Sequence, residues 1–292
     1  MNKPKETTNR VFIVGDGEEA YRVAANTLGA GQETVLLTAD RTEALATIER
    51  VSSAHTTLLT LLADWPDVLP CDVAIAITAD EVAAKRRVIQ QLACRLPEDA
   101  IIAINTESIP LDELQAGMPQ PGHILGLNWC YPADLTLFME IVANPQSDPR
   151  AVNRLTALGR EAWGKDPYTA HGGFSTRARM MAAWAREALY LVENGYASMD
   201  SIDRACRNDA GYYLPFVGNF RYMDLMGTYA YGMVMKDLNP ELAKNNSIPD
   251  GMETELAAYT SSNRELREKA FERFSKEIRT LILKYPHEPL DC

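Results

Sequence analysis

The chain has 292 residues, 46% hydrophobic and 24% charged, with a formal net charge of -11 and an isoelectric point near 4.9. That length exceeds what one core normally needs and predicts two domains. The acidic balance argues against a nucleic-acid backbone or an anionic membrane as the main partner, because both would be repelled, and leaves a small molecule or another protein. Five cysteines without a C-x-x-C pair read as free thiols in a reducing compartment. The start, "MNKPKETTNR", has no apolar signal core, and no window reaches the roughly 18 apolar residues of a membrane span, so a soluble, cytoplasmic protein is expected.

In chain order, the first apolar run is "VFIVGDGEEAYRVAANTLGAGQETVLLTAD", which reads as strand, glycine turn, helix and second strand, one βαβ unit. A helical stretch, "TEALATIERV", follows. Apolar runs then recur at "TLLTLL", "CDVAIAI", "DAIIAINT" and "HILGLNW" between helix-like segments, the alternation expected of a mostly parallel sheet covered by helices. Beyond about residue 150 the periodicity becomes helical, as in "RARMMAAWAREALYLVENGY", and the end "NRELREKAFERFSKEIRTLILKY" reads as an amphipathic helix with charged pairs at helical spacing. The junction is placed at "GKDPYTAHGGF", where Pro and paired Gly punctuate the chain. The expected architecture is α/β: a Rossmann-type NAD(P)-binding domain over 1–170, then an all-α domain over 171–292.

"GDGEEA" stands where strand one meets helix one, the context in which G-x-G-x-x-G lets the backbone approach a pyrophosphate at a helix N-terminus. Gly15 and Gly17 fill the first two positions, and Ala20 replaces the third glycine, a position that governs helix packing. Glu18 and Glu19 oppose a pyrophosphate unless they point away. The end of strand two carries an acid for the adenosine ribose in NAD binders, and in "VLLTADR" that place holds Ala39. Asp40, just after it, favours NAD, whereas Thr38 and Arg41 offer a site for the 2′-phosphate of NADP.

The segments "AINTESIPLDEL", "GHILGLNWCYPADLTLFMEIV", "GGFSTRARMMAAWAREALYLVENGYASMDSIDRA" and "VGNFRYMDLMGTYAYGMVMKDLNPEL" resemble, in order and spacing, the 3-hydroxyacyl-CoA dehydrogenase family and its relatives acting on small hydroxy acids, such as L-gulonate and L-carnitine dehydrogenases. The resemblance covers most of the chain. It implies NAD (or NADP) as cofactor, held by Gly15, Gly17, Ala20, Asp40, Asp80, Lys85 and Asn105. It also implies a homodimer and no metal. In the family a strand histidine accepts the hydroxyl proton, a glutamate twelve residues later orients it, and a serine and an asparagine bind the substrate oxygen. Here the glutamate is kept as Glu140, but the other positions hold Asn128, Glu107 and Arg177.

An amide is no general base near neutral pH, although Asn128 retains the capacity to polarise a carbonyl and to accept from Glu140 if that acid is protonated. Glu107 and Arg177 are expected to meet, either as an ion pair or with Arg177 gripping a substrate carboxylate and Glu107 serving as acid or base. His171, beside the junction, is the best substitute base, and Cys130 shares the Asn128 side of the strand. Only about thirty residues separate strand two from "CDVAIAI", whereas relatives that handle CoA thioesters carry a longer helical arm there. A small, carboxylated substrate is expected. The leading reading is an NAD(P)-dependent oxidoreductase with a rebuilt site of Glu107, Asn128, Glu140 and Arg177; a non-redox enzyme and a binding protein without chemistry remain the alternatives.

Overall fold

The computed structural model describes residues 10–52, 56–226, 251, 254 and 264–284. Two compact units divide after Ala178. The first is an eight-stranded sheet in the order β3-β2-β1-β4-β5-β6-β7-β8. Its strands are β1 (Arg10–Gly15), β2 (Glu33–Leu37), β3 (Leu59–Leu62), β4 (Val73–Ile77), β5 (Ile101–Ile104), β6 (Ile124–Trp129), β7 (Phe138–Val142) and β8 (Asp166–Ala170). The first six run parallel; β7 is antiparallel to β6, and β8 is parallel to β7. This is the doubly wound dinucleotide-binding order with two strands added at one edge.

The central strands form because their sequences are apolar without interruption. "VAIAI" and "IIAI" are buried at every position, as strands covered on both faces must be. Helix α1 (Glu18–Gly29) lays Ala20, Val23, Ala24 and Leu28 on one face, while Ile89 and Leu92 of α3 (Val82–Ala93) enter the cluster on the other. Each Val, Leu and Ile among them contributes about 1.5–3 kcal/mol by leaving water. Gly15 is required by close approach, since a Cβ there would lie 2.5 Å from the carbonyl oxygen of Ile77 on β4.

Three shorter helices complete this unit: α2 (Arg41–Val51), α4 (Leu111–Gln115) and α5 (Pro149–Ala157). The β6–β7 connection is tied down by two buried cations. Lys165 donates to the carbonyls of Ala133 and Thr136, and Arg22, 1% exposed, bonds Asp134 at 2.7 Å and lies over the Tyr131 ring.

The second unit is helical among its described residues, with α6 (Thr176–Glu193) entering it, then α7 (Met199–Asn208), α8 (Ala210–Met226, broken at Gly218) and α9 (Arg264–Lys284). Much of the segment "MGTYAYGMVMKDLNPEL" lies outside the described residues. One detail differs from the sequence reading. The stretch taken as a junction contains β8, an edge strand whose one neighbour among the described residues is β7, so it can hold Pro167. The backbone amides of Thr176 and Arg177 bond Glu140 on β7 and so bind the first turn of α6 to the sheet, and the units part just beyond that turn.

Candidate functional site

Asn128 and Glu140 are directly paired residues of the antiparallel β6–β7 ladder, which is why positions so far apart in sequence meet. The Asn128 amide donates to Glu140 Oε2 at 2.9 Å and to the Thr106 carbonyl at 3.4 Å, and its oxygen accepts the Thr106 amide at 2.8 Å. Both side-chain donors therefore have partners within the protein, and the residue is 1% exposed. The sequence reading of Asn128 as a carbonyl-polarising group does not hold in this geometry, since no donor remains to be offered.

Glu140 is fully buried and accepts six hydrogen bonds, from Asn128, Tyr168, Ser175, the Thr176 hydroxyl, and the amides of Thr176 and Arg177. Burial pushes its pKa up, but the bonds from Ser175, Asn128 and Thr176 and from the Arg177 amide outweigh that and hold it at about 2. It is ionised, so the prospect of a protonated Glu140 donating to Asn128 falls away. Its carboxylate also faces the N-terminus of α6, where a negative charge complements the helix dipole. Ser175 serves twice, donating to Glu140 and accepting the Ala178 amide at 2.9 Å as a helix cap.

The second group lies where the loop after β5 meets the first turn of α6. Arg177 bonds Glu107, and its guanidinium stands 5.4 Å from the centre of the Phe138 ring. The pair is open, with 22% of the arginine side chain and 49% of the glutamate exposed. Glu19 belongs to the same electrostatic neighbourhood: desolvation raises its pKa, the Glu107 charge raises it further, and Arg177 and Lys85 oppose the rise.

A cleft of about 660 Å³ opens over the carboxyl ends of β1, β2, β4 and β5, lined among others by Gly15, Asp16, Glu19, Thr38, Ala39 and Asn105. Apart from Glu19, whose carboxylate opposes a pyrophosphate, its residues fit a dinucleotide. Gly17, at φ 84°, heads α1 with no side chain capping the helix, so the first amides of the helix lack an intrahelical or side-chain partner. Glu18 is turned away, bonding Arg22 at 2.9 Å and Arg50 at 3.1 Å, whereas Glu19 faces the cleft. Ala20 is fully buried and packs near Gly15, the packing role expected of it.

The other expected cofactor residues are placed differently. Asp40 accepts the Glu43 amide at 2.9 Å through Oδ1 as the cap of α2 and is absent from the cleft lining, so it does not stand at the ribose position expected of it. The Lys85 side chain is fully buried; its ammonium bonds the Asn105 carbonyl at 2.7 Å and side-chain oxygen at 2.9 Å, so it braces the cleft wall from behind instead of touching a ligand. Burial lowers its pKa, against the charges of Asp80 and Glu19. Asp80 accepts the Ser108 hydroxyl. Asn105 lines the cleft and bonds the Thr78 backbone on both sides. His171 is exposed and makes no side-chain hydrogen bond among the described residues, and Cys130 lies just past the end of β6.

Residues 10–172 match the family model for the 3-hydroxyacyl-CoA dehydrogenase NAD binding domain, and residues 173–277 match that for the C-terminal domain. The chain belongs to the 3-hydroxyacyl-CoA dehydrogenase family. This family is one of NAD-dependent oxidoreductases, and the cleft lies in its NAD-binding domain. Among curated relatives, a 3-hydroxybutyryl-CoA dehydrogenase of Mycobacterium tuberculosis is 27% identical over 76% of this chain and 83% of its own. A 5-formyl-3-hydroxy-2-methylpyridine 4-carboxylate 5-dehydrogenase of Mesorhizobium japonicum is 26% identical over 61% of this chain and 58% of its own.

Among solved structures, a 5-dehydrogenase of that pyridine carboxylic acid, described as an NAD+ dependent dismutase, superposes with a TM-score of 0.81 at 20% identity over 94% of this chain and 97% of its own. A 3-hydroxyacyl-CoA dehydrogenase from Archaeoglobus fulgidus gives 0.66 at 21% identity over 93% and 98%. These two likenesses concern the fold.

Sequence reasoning missed Tyr168, Ser175 and Thr176 around Glu140, and Asp16 in the cleft. A Ser-Thr pair directly before a helical run is a capping signal that would have marked the first group. Asp16 carried no comparable signal.

Proposed function

We propose that this chain oxidises or reduces a small carboxylated hydroxy or oxo acid with NAD, using Arg177 to bind the substrate carboxylate and Glu19 to exchange the hydroxyl proton. The observation that carries this reading is the contrast between a saturated Asn128 and an open Glu19–Glu107–Arg177 group beside the cleft. The cofactor would be held by the Gly15–Gly17 turn, the first amides of α1 and the wall at Asn105; when bound it would supply the two-electron acceptor for oxidation as NAD+, or the donor for reduction as NADH. Glu107 holds the guanidinium in position; a planar, permanently charged fork suits a substrate carboxylate. A glutamate whose pKa is raised by crowding and a neighbouring carboxylate is a better proton acceptor near neutrality than one at its ordinary value. A curated relative named for a pyridine carboxylate supports a carboxylated substrate.

Glu19→Gln is expected to lower kcat by about 10²-fold on carboxylated 3-hydroxy acids while NADH still binds, and Asn128→Ala to leave turnover per folded molecule within a few-fold. Unchanged turnover in Glu19→Gln would remove Glu19 from the chemistry. A non-redox enzyme has one observation in its favour, the Glu19 carboxylate facing the cleft near the α1 amides; a fluorescence titration with NADH separates the two readings. The homodimer and cytoplasmic setting belong to this proposal as well. Met180 and Trp184 on α6, 66% and 50% exposed, support an apolar contact face, and sedimentation of the purified protein tests it.

A further inference from the structure

The acid that should end β2 is missing from its place, yet a carboxylate stands there. Ala39 occupies the position, and Asp40 is engaged as the cap of α2. Asp16, from the glycine turn after β1, reaches across instead: its Oδ1 accepts the Thr38 hydroxyl at 2.7 Å and the Ala39 amide at 2.7 Å. Tyr21 steadies the contact, its hydroxyl 3.2 Å from that of Thr38. Asp16, Thr38 and Ala39 all line the cleft, and Oδ2 of Asp16 has no hydrogen-bond partner among the described residues.

We propose that Asp16 is the residue that binds the adenosine ribose hydroxyls and makes this chain select NAD over NADP, a role normally given to an acid on β2 itself. Oδ1 fixes the side chain, and Oδ2 remains to accept from a ribose hydroxyl. A 2′-phosphate brought to the same place would set a dianion against this carboxylate. The Thr38 hydroxyl, a candidate phosphate ligand from sequence, is already donating to Asp16 and is 3% exposed. This inference rests on the NAD reading above and adds to it the residue that sets cofactor choice.

The test is fluorescence titration with NADH and NADPH of wild type, Asp16→Asn, Asp16→Ala and the double variant Asp16→Ala with Ala39→Asp, each accompanied by its thermal midpoint. Asp16→Asn keeps an oxygen for the Thr38 and Ala39 bonds but loses the charge. Wild type is expected to prefer NADH. Asp16→Asn should weaken NADH and strengthen NADPH, each by about tenfold, as the loss of a charged acceptor implies, with little change in thermal midpoint. The double variant, which returns an acid to β2, should recover the NADH preference that Asp16→Ala loses, and it keeps the test open if either single variant folds poorly. An unchanged NADH to NADPH ratio in Asp16→Asn, or equal weakening of both, would overturn the role of Asp16 while leaving NAD binding intact. A wild type that binds neither dinucleotide would instead defeat the cofactor reading itself, and the role of Asp16 with it.

Discussion

The Asn128–Glu140 pair lies within the β6–β7 ladder, and the Glu107–Arg177 pair joins the loop after β5 to the first turn of α6. They differ in how far the protein itself satisfies them. Around Glu140 six donors converge on a carboxylate with no solvent exposure, and Asn128 has both amide hydrogens engaged. Among the described residues, one ion pair and one aromatic face answer the five N–H donors of the Arg177 fork. A group whose hydrogen bonds are filled from within rigidifies the fold, whereas one with donors to spare can answer a ligand. Asn128, with both amide hydrogens engaged, braces β6 against β7 and the loop after β5.

The sharpest way to break this comparison is to remove Glu140. Glu140→Ala strands the buried donors of Asn128 and Ser175 and the amides at the start of α6, and the expected loss is about 3–5 kcal/mol, a fall of roughly 10 °C in thermal midpoint. The same carboxylate sets an acid limit. Its pKa in the folded protein, about 2, lies below its ordinary 4.5, so its contribution is complete above pH 4.5 and fades as pH falls toward 2. That linkage amounts to about 3 kcal/mol. The stability difference between wild type and Glu140→Gln should therefore shrink on acidification below pH 4.5. A difference independent of pH would mean that Glu140 is not the buried anion.

Arg177→Ala should behave in the opposite manner. The ion pair is partly exposed, and such pairs contribute about 0–1 kcal/mol, so the thermal midpoint should hardly move. KM for carboxylated substrates should rise by roughly 10- to 100-fold, the loss of one charge-assisted anion contact. Large destabilisation with unchanged KM would make Arg177 a brace like Asn128 and erase the distinction between the two groups.

The parts of the molecule legible in the sequence share one physical property: a local pattern strong enough to override context. Strands β4 and β5 are apolar throughout, and β1 and β6 are so except for Arg10 and Asn128, because both sheet faces are covered, and α1 declares itself by the glycines before it. The turning away of Glu18 was also legible, since Arg22 stands four residues on, at ion-pairing distance along a helix. Strand β8 was not, because an edge strand needs one buried face and tolerates Pro167, so "DPYTA" reads as a connection. The Asn128–Glu140 contact came from the family resemblance, but the direction of its hydrogen bond did not; that depends on Ser175 and Thr176 supplying enough donors to keep Glu140 ionised. Asp16 was hidden for another reason. Its position in the glycine turn gives no hint that its side chain spans to β2, and the expected acid was sought on the strand instead.

The smallest effect expected probes the rim of the buried cage. Tyr168 sits opposite Glu140 on the neighbouring strand and donates to Oε1 at 2.9 Å, but the residue is 40% exposed, so water can take the place of its hydroxyl. Burial and the Glu140 charge push the phenol up to about 12, against the bond from Thr176, so it remains a donor throughout the working range. Tyr168→Phe removes one of the six donors and should cost about 1 kcal/mol, with the acid limit of stability shifting slightly upward as Glu140 becomes easier to protonate. Turnover should be nearly unaffected, because the hydroxyl answers Glu140 and not a ligand. If Tyr168→Phe instead lowered kcat with the thermal midpoint preserved, the edge of the cage would have to be counted with the open group, and the boundary between brace and reagent would run through Tyr168.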